Sequence, residues 1–234
     1  PTINAFLAND TGPGGVPNQD GITSDPTIAA TVTVVPALNT LTAWIGDEPS
    51  SISIRGLVQA NGSLVLTPTV LQQLNGGPLV DGQYIVHFKG VDELAHESTA
   101  TVSMRLDRTT TAPERPDLPT SSDTGFDNSD NLTRIAGPPI SVAAEPGSTV
   151  TLLIDDQPIL TQVANPTAMF TLPALASGTY QITARSIDSA GNPGGLSPPL
   201  ALTIRREVPV VTMIIAPFQD DLTPVIDVSV TDAA

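Results

Sequence analysis

The sequence predicts an all-β protein built from tandem β-sandwiches, and three observations support that prediction. The chain of 234 residues contains 23 prolines and 18 glycines, which favours short strands separated by turns over long helices. Apolar and polar residues alternate with a period of two along several segments. One sequence pattern also occurs twice, which indicates two copies of the same structural unit.

The repeat aligns LVDGQYIVHFKGVDELAHES (79–98) with LASGTYQITARSIDSAGNPG (175–194) at a constant offset of 96 residues. Both copies place an apolar residue, a turn glycine and a tyrosine in the same frame, so that Tyr84 matches Tyr180. A tyrosine at the start of a penultimate strand, bonded through its hydroxyl to the preceding corner, is typical of immunoglobulin-like domains. The sequence therefore predicts tandem immunoglobulin-like sandwiches with Greek-key topology and about seven strands each.

The alternation predicts the individual strands. Residues on one face of a strand are predicted to be Val32 and Val34; Tyr84, Val86 and Phe88; Val150, Leu152 and Ile154; and Tyr180, Ile182 and Ala184. A single helical turn is expected at 68–74, where Thr67 or Thr69 can cap the first turn.

The boundaries follow from the repeat and from the proline-rich linker at 108–119. We expect a first module at 1–112 and a second at 113–207. Residues 208–234 restart the alternation after the acidic turn PFQDDLTP, and so predict the beginning of a third module. Its two predicted strand faces carry Val225, Asp227 and Ser229 on one side and Ile226, Val228 and Val230 on the other.

Composition excludes several classes of function. The net charge of −15 leaves no basic cluster for a polyanion, so nucleic acid is not expected as a partner. There is no apolar run long enough to insert into a membrane. The absence of cysteine excludes disulfides, cysteine-based zinc sites and thiol catalysis, so metal–carboxylate clusters are the expected substitute for bracing small modules.

The segments DRTTTAPERPDL, SSDTGFDNSDNLT, AAEPGSTVTLLIDDQ and ASGTYQITARSIDSAGN resemble the tandem bacterial Ig-like domains of very large secreted adhesins and other surface proteins. The first module, from LANDTG to VDELAH, is similar to a sister type of these repeats. The resemblance implies an extracellular rod on the cell surface, often stiffened by calcium near the junctions between modules. It implies neighbouring Ig-like modules as partners, with host or matrix glycan or protein as further candidates.

Two departures from that pattern count against a calcium site at the places where they occur. Residues 92–96 read DELAH where residues 188–192 read DSAGN, so the glycine and asparagine are replaced. The linker after the second module reads RREVPVV and lacks the DRTTTAP type of junction.

Calcium binds through six to eight oxygen ligands, and the loops supply carboxylate and amide oxygens densely. The candidates in the second module are expected to meet at one end of the sandwich; they are Asp123, Asp127, Asp130, Asn131, Asp188 and Asn192. Their equivalents in the first module are Asp10, Asp20, Asp25 and Asp92. Asp107, just before the linker, is a candidate for the first junction. The same residue types also form Asx turns without any ion.

An enzyme is not expected. His87 is expected on the solvated sheet face opposite Tyr84 and Phe88. His96 lies near Glu93 and Glu97 and is expected in a surface ion pair with them. No nucleophile elbow, zinc-binding helix or phosphate-binding loop occurs.

Three functions remain open from the sequence. The first is a structural spacer and display stalk of a surface adhesin, rigidified by calcium. The second is a subunit of an extracellular filament or sheath, in which residues 222–232 complete a neighbour's sheet by strand addition. The third is a non-catalytic glycan-binding module. If Leu41, Ala43 and Ile45 are buried, Trp44 faces outward as a glycan platform or module contact. The alternative is a half-buried Trp44 that covers the edge of the sheet.

Overall fold

The computed structural model describes residues 1–13, 19–33, 37–46, 51–208, 210–215 and 226–231. Strands dominate these residues, which confirms the all-β prediction. No helix in this part of the chain is long and apolar enough to cross a membrane. The strands form two successive bodies with separate hydrophobic cores, which we call module 1 (β1 to β8) and module 2 (β9 to β16).

Module 1 is a sandwich of two sheets. Its strands are β1 (Thr2–Leu7), β2 (Ile22–Thr23), β3 (Ile28–Thr33), β4 (Leu38–Ile45), β5 (Ile52–Ser53), β6 (Ser63–Leu66), β7 (Gly82–Asp92) and β8 (Glu97–Leu106). One sheet has the order β1-β3-β6 and the other the order β2-β8-β7-β4-β5. Inward-facing residues such as Leu41, Phe88 and Met104 are buried between them, and this removal of apolar surface from water holds the sheets together.

The predicted helical turn is confirmed and extends to the helix α1 (Pro68–Asn75). Thr67 caps it, because its hydroxyl accepts a hydrogen bond from the Val70 amide at 3.5 Å. The helix buries Leu71 and Leu74, and it ends at Gly76, whose φ of 71° is in the left-handed region. A short 3-10 helix spans Arg55–Leu57.

Module 2 repeats the arrangement. Its strands are β9 (Leu132–Thr133), β10 (Pro139–Ala143), β11 (Thr149–Ile154), β12 (Gln157–Val163), β13 (Thr167–Thr171), β14 (Gly178–Ile187), β15 (Pro193–Leu196) and β16 (Leu200–Ile204). β10 pairs with β13, while the larger sheet has the order β12-β11-β14-β16-β9, with β15 also paired to β14. Phe170, Leu152 and Ile182 are buried in the core between the sheets.

Both tyrosine corners predicted from the sequence are present. The Tyr84 hydroxyl donates to the Val80 carbonyl at 2.8 Å and accepts from the Val80 amide at 3.0 Å. The Tyr180 hydroxyl donates to the Ala176 carbonyl at 3.1 Å. The two modules therefore share the corner that marks immunoglobulin-like sandwiches.

Trp44 faces away from the core of module 1, as the alternation predicts, but it does not form an exposed platform. Trp44 is only 9% exposed, and its ring stacks on His87 of β7 with centroids 5.1 Å apart and an interplanar angle of 9°. His87 lies directly across the strand pair from Trp44 and covers its face, so His87 is half-buried rather than solvated. Alternation identifies the core face of a strand but does not show what covers the other face.

The chain continues beyond module 2 into a strand pair. β17 (Val210–Ile215) and β18 (Ile226–Thr231) are antiparallel, with Val210 opposite Thr231, just as β1 and β3 place Thr2 opposite Thr33. This agrees with the beginning of a third module, although the domain boundaries remain a prediction. Val34, the turn PFQDDLTP and Val225 lie outside the described residues.

Candidate functional site

The candidate site is the junction between the modules, and its first component is the loop after β14, residues 188–192, which we call the junction loop. The carboxylate of Asp188 is 2% exposed and closes this loop on itself. It accepts hydrogen bonds from the Asn192 backbone amide and from Asn192 Nδ2, both at 2.8 Å. The Gly191 amide donates to the Asp188 carbonyl at 3.1 Å, and Gly191 has a φ of 83°, which favours glycine. The pattern Asp-x-x-Gly-Asn therefore builds a compact, self-supporting loop.

The tip of the junction loop lies on module 1. The Ala190 carbonyl accepts hydrogen bonds from the hydroxyls of Thr11 and Ser24, the latter at 3.1 Å. Gly191 lies so close to Gly12 that a Cβ on Gly191 would lie 2.9 Å from the Gly12 carbonyl oxygen. Direct contacts between the modules thus define the joint.

A further hydrogen bond joins the loop to the end of module 1. Asn192 Nδ2 donates to the Asp107 carbonyl at 2.9 Å, one residue beyond β8. We call the group formed by Thr11, Gly12, Ser24 and the Asp107 carbonyl the receiving surface. The sequence predicts Asp107 as a calcium ligand at the first junction. Its backbone carbonyl contacts the junction loop, while its carboxylate Oδ2 lies 3.3 Å from Arg105 Nη2.

The linker is held by both modules. On the side of module 1, Arg108 Nε donates to Asp81 at 2.9 Å. On the side of module 2, the Thr110 hydroxyl donates to Glu145 at 3.1 Å, and the Thr111 carbonyl accepts from the Ser186 hydroxyl at 3.4 Å. The linker therefore makes hydrogen bonds to both modules.

Two carboxylates near the joint are stabilised in the ionised form. Hydrogen bonds from the Arg108 side chain and backbone hold the pKa of Asp81 below its ordinary value. Burial disfavours ionisation of Asp25, but hydrogen bonds from Thr27 and from Asn9 outweigh it, so the pKa of Asp25 is also lowered.

The candidate aspartates before β2 engage backbone amides. Asp10 Oδ2 accepts from the Gly21 amide at 3.1 Å, and Asp20 Oδ1 accepts from the Ile22 amide at 2.8 Å. Asp25 Oδ1 accepts from the Thr27 amide at 3.0 Å and from the Thr27 hydroxyl at 2.6 Å. Asp10 Oδ1 differs, because it is buried without a hydrogen-bond partner.

The corresponding loop of module 2 has the same design. Asp123 Oδ2 accepts from the Asn131 amide at 2.9 Å, while Asp123 Oδ1 is buried without a partner. Asp130 Oδ1 accepts from the Leu132 amide at 3.0 Å, and Asp127 Oδ1 accepts from the amide and hydroxyl of Ser129. Two matching loops thus each retain one buried, unsatisfied carboxylate oxygen.

The expectation that all candidates of one module meet at one end is wrong. β9 pairs with the end of β16 opposite the start of β14, whereas Asp188 and Asn192 follow the end of β14. Asp92 likewise follows the end of β7, while β2 lies beside its start. Strands of this length separate the two groups by about 30 Å. The structure instead brings Asp188 and Asn192 of module 2 to the end of module 1 that carries β2.

Among the described residues, no three histidine or acidic side chains converge in a way that could hold a metal ion. The carboxylate beside the His96 ring belongs to Asp92 rather than to Glu93 or Glu97, with Nδ1 3.0 Å from Oδ2. Burial opposes ionisation of Asp92, but hydrogen bonds from the backbone and ring of His96 and from the Leu94 amide lower its pKa.

Sequence reasoning missed the residues that make the contact across the joint: Thr11, Gly12, Ser24, Ala190 and Gly191. A signal was available, because Asp-Thr-Gly occurs at the same place in both modules, at 10–12 and 123–125. The match shows that these residues are equivalent in the two modules, but it does not show that a threonine hydroxyl and a glycine backbone contact a neighbouring module.

The paired sheets, the tyrosine corners and the end-to-end joint define a class of protein, the tandem immunoglobulin-like β-sandwich. Residues 109–205 match the family model described as a bacterial Ig-like domain. This match confirms the resemblance to bacterial Ig-like domains that the sequence of the second module shows. A search of curated proteins yields no match.

Solved structures of similar fold include repeat proteins from bacteria. A tetra-tandem repeat in the extending region of a large adhesion protein is 18% identical, with a TM-score of 0.38, and the match covers 100% of this chain and 57% of that one. A 1.5-MDa bacterial ice-binding adhesin is 15% identical, with a TM-score of 0.37, over 92% of this chain and 68% of that one. The fibronectin(III)-like modules of Clostridium thermocellum CbhA are 14% identical, with a TM-score of 0.41, over 86% and 94% of the two chains. At these identities the likeness concerns the fold alone.

Proposed function

We propose that this chain is a structural, non-catalytic segment of an extracellular bacterial repeat protein, in which Ig-like modules form a rod that spaces and displays other parts of a surface adhesin. The observation that carries the proposal is the joint, where the junction loop bonds directly to the end of module 1. A rod requires modules that resist bending relative to one another. The linker anchors at Asp81 and Glu145 support the same role.

Small-angle X-ray scattering on the full chain tests this proposal. We expect a maximum dimension and a scattering profile that fit two sandwiches fixed end to end. Asn192→Ala, which removes the hydrogen bond to the Asp107 carbonyl, should broaden the distribution of dimensions, whereas Gln162→Ala on the exposed strand β12 should not. A profile that requires freely reorienting modules in the unsubstituted chain would contradict the rod.

We further propose that calcium stiffens the rod, using oxygens of the loops before β2 and β9. The two buried, unpartnered oxygens, Asp10 Oδ1 and Asp123 Oδ1, support this, since a cation would compensate an orphaned carboxylate oxygen in the interior. Calcium binds through oxygen ligands of this kind, and backbone carbonyls or water would have to supply the rest of its coordination.

A thermal melt of the full chain in excess EDTA, in calcium and in magnesium tests the metal. Binding to the folded state alone raises the melting temperature, by several degrees at saturating calcium. Asp10→Asn and Asp123→Asn should each remove part of a calcium-specific increase, while Asp156→Asn, in the turn between β11 and β12, should preserve it. Equal melting temperatures in EDTA and calcium would refute the calcium proposal and leave the rod standing.

The two alternative functions receive different support. Burial of Trp44 beneath His87 removes the aromatic platform on which the glycan-binding hypothesis relied. For the filament hypothesis, β18 pairs with β17 of the same chain, so one edge of the candidate donor strand is already occupied. Residues 222–225 and 232 of that segment lie outside the described residues.

A further inference from the structure

The end of module 2 that carries β9 has side chains that match those of the receiving surface of module 1. Thr124 and Gly125 occupy the places of Thr11 and Gly12 in the shared Asp-Thr-Gly motif. The Thr124 hydroxyl accepts from the Arg134 amide at 2.9 Å, as the Thr11 hydroxyl accepts from the Ser24 amide at 2.8 Å.

The backbone repeats the surface as well. The Arg205 amide donates to the Thr133 carbonyl at 2.9 Å, as the Asp107 amide donates to the Thr23 carbonyl at 2.9 Å. Arg205 therefore occupies the position of Asp107, and its carbonyl corresponds to the one that accepts from Asn192. Phe126, next to Gly125, is fully exposed at this end of module 2.

We propose that this end of module 2 is a second receiving surface, and that its occupant is the loop Asp-x-Ala-Gly-Asn of a following Ig-like unit. The inference rests on the proposed rod and adds a rule for the order of its modules. Both surfaces accept a loop of the 188–192 type and reject a loop of the 92–96 type. Arg134 takes the place of Ser24 and supplies donors to the incoming carbonyl.

The selectivity follows from the two loops of this chain. Residues 92–96 close in the same way, because the amides of Leu94 and His96 both donate to Asp92 Oδ1 at 2.9 Å. Ala95 even adopts a φ of 64° at the position of Gly191. The two loops therefore share one backbone conformation. They differ in the side chains that they would present to a neighbouring module.

Two side chains prevent module 1 from binding in the same way. A Cβ at the position of Gly191 would lie 2.9 Å from a backbone carbonyl of the receiving module, and Ala95 carries such a Cβ. Ala190 is completely buried, whereas Leu94 at the corresponding position is larger and 66% exposed. Docking would force the modules apart, so a module of the first type does not follow either surface.

The absence of cysteine makes thiol labelling a direct test. In the full chain, Ala190→Cys should react about tenfold more slowly with a thiol reagent than Leu94→Cys, because the joint must open before reagent reaches position 190. Adding Gly191→Ala should bring the rate at position 190 to that of Leu94→Cys, while adding Ala95→Gly should leave it slow. Hydrogen exchange of residues 186–196 in cysteine-free chains provides a second readout if the cysteine itself loosens the joint.

The second receiving surface is tested with a longer chain, in which residues 1–206 are followed by residues 109–234. Arg205 and Arg206 then precede the repeated Thr109, as Asp107 and Arg108 do in the natural chain. We expect slow labelling of a cysteine at position 190 of the second copy, and acceleration when Gly125→Ala is introduced in the first copy.

The outcomes separate the two proposals. If Ala190→Cys reacts as fast as Leu94→Cys in the natural chain, and hydrogen exchange agrees, the joint is open and both the rod and this inference fail. If it reacts slowly there but fast in the second copy of the longer chain, only the second receiving surface is refuted. If Gly191→Ala leaves the joint closed, the order rule is wrong.

Discussion

At the scale of single residues, the tyrosine corners offer a quantitative test, because the two differ by one hydrogen bond. Tyr84 both donates to and accepts from Val80, whereas Tyr180 donates to Ala176. We expect Tyr84→Phe, which loses two hydrogen bonds, to destabilise module 1 by about 1 kcal/mol. Tyr180→Phe, which loses one, should destabilise module 2 by roughly half as much. Both costs are small because water reaches these exposed corners. Urea unfolding of each variant measures these costs, and a larger loss for Tyr180→Phe would contradict the assignment.

Individual contacts were predictable where a residue acts within its own strand or turn. The corner tyrosines follow from one repeated frame, and Thr67 follows from the preference of threonine for the position before a helix. The partner that covers Trp44 was not predictable, because His87 comes from another strand more than 40 residues away. A single strand's alternation contains no information about that partner.

At the scale of elements, the repeat predicted the long strands well and the ends of the sandwich poorly. β7 and β14 were identified through their shared pattern and indeed pair at the same places, with Trp44 opposite His87 and Leu153 opposite Thr183. β2 and β9 contain only two residues each, which is too short for any periodicity. Their parallel pairing decides at which end the acidic loops lie.

The misplacement of the aspartates has a physical reason at this same scale. To predict that two loops lie at the same end of a sandwich, one must know the direction of every strand between them. The two-residue strands could not be identified from the sequence. The loops that do meet belong to different modules, so no argument confined to one module could have found the joint. The matched Asp-Thr-Gly motifs were the remaining signal.

At the scale of the whole molecule, the joint is built from short polar contacts and close backbone approach rather than from a shared hydrophobic core. The two cores are separate, and the residues across the joint are threonine, serine, glycine, alanine and asparagine. Contacts of this kind are specific in geometry but individually modest in energy. Such contacts are compatible with a repeat protein in which each module has its own core and the contacts with its neighbours set the orientation of the module.

Module 1 is expected to lose stability in acid. Asp25, Asp81 and Asp92 all have a pKa lowered by hydrogen bonds to their ionised forms, against the burial that opposes it in Asp25 and Asp92. A carboxyl whose pKa is lower in the folded state than in the unfolded state stabilises the fold above its unfolded value, near pH 4. That contribution is lost as the pH falls through the lower folded value. Module 1 should therefore unfold at lower urea as the pH falls below about 4.

The same chain provides the measurement. Trp44 is the sole tryptophan and lies in the sheet of module 1, so its fluorescence during urea unfolding reports on that module within the full chain. Asp92→Asn should lower stability at neutral pH, because it removes the charge that bonds His96, and should flatten the decline toward acid. Asp155→Asn in module 2 is the matched control, and it should leave the tryptophan signal unchanged at every pH. If acid leaves the urea midpoint of the unsubstituted chain unmoved, the hydrogen bonds to these carboxylates do not favour their ionised forms.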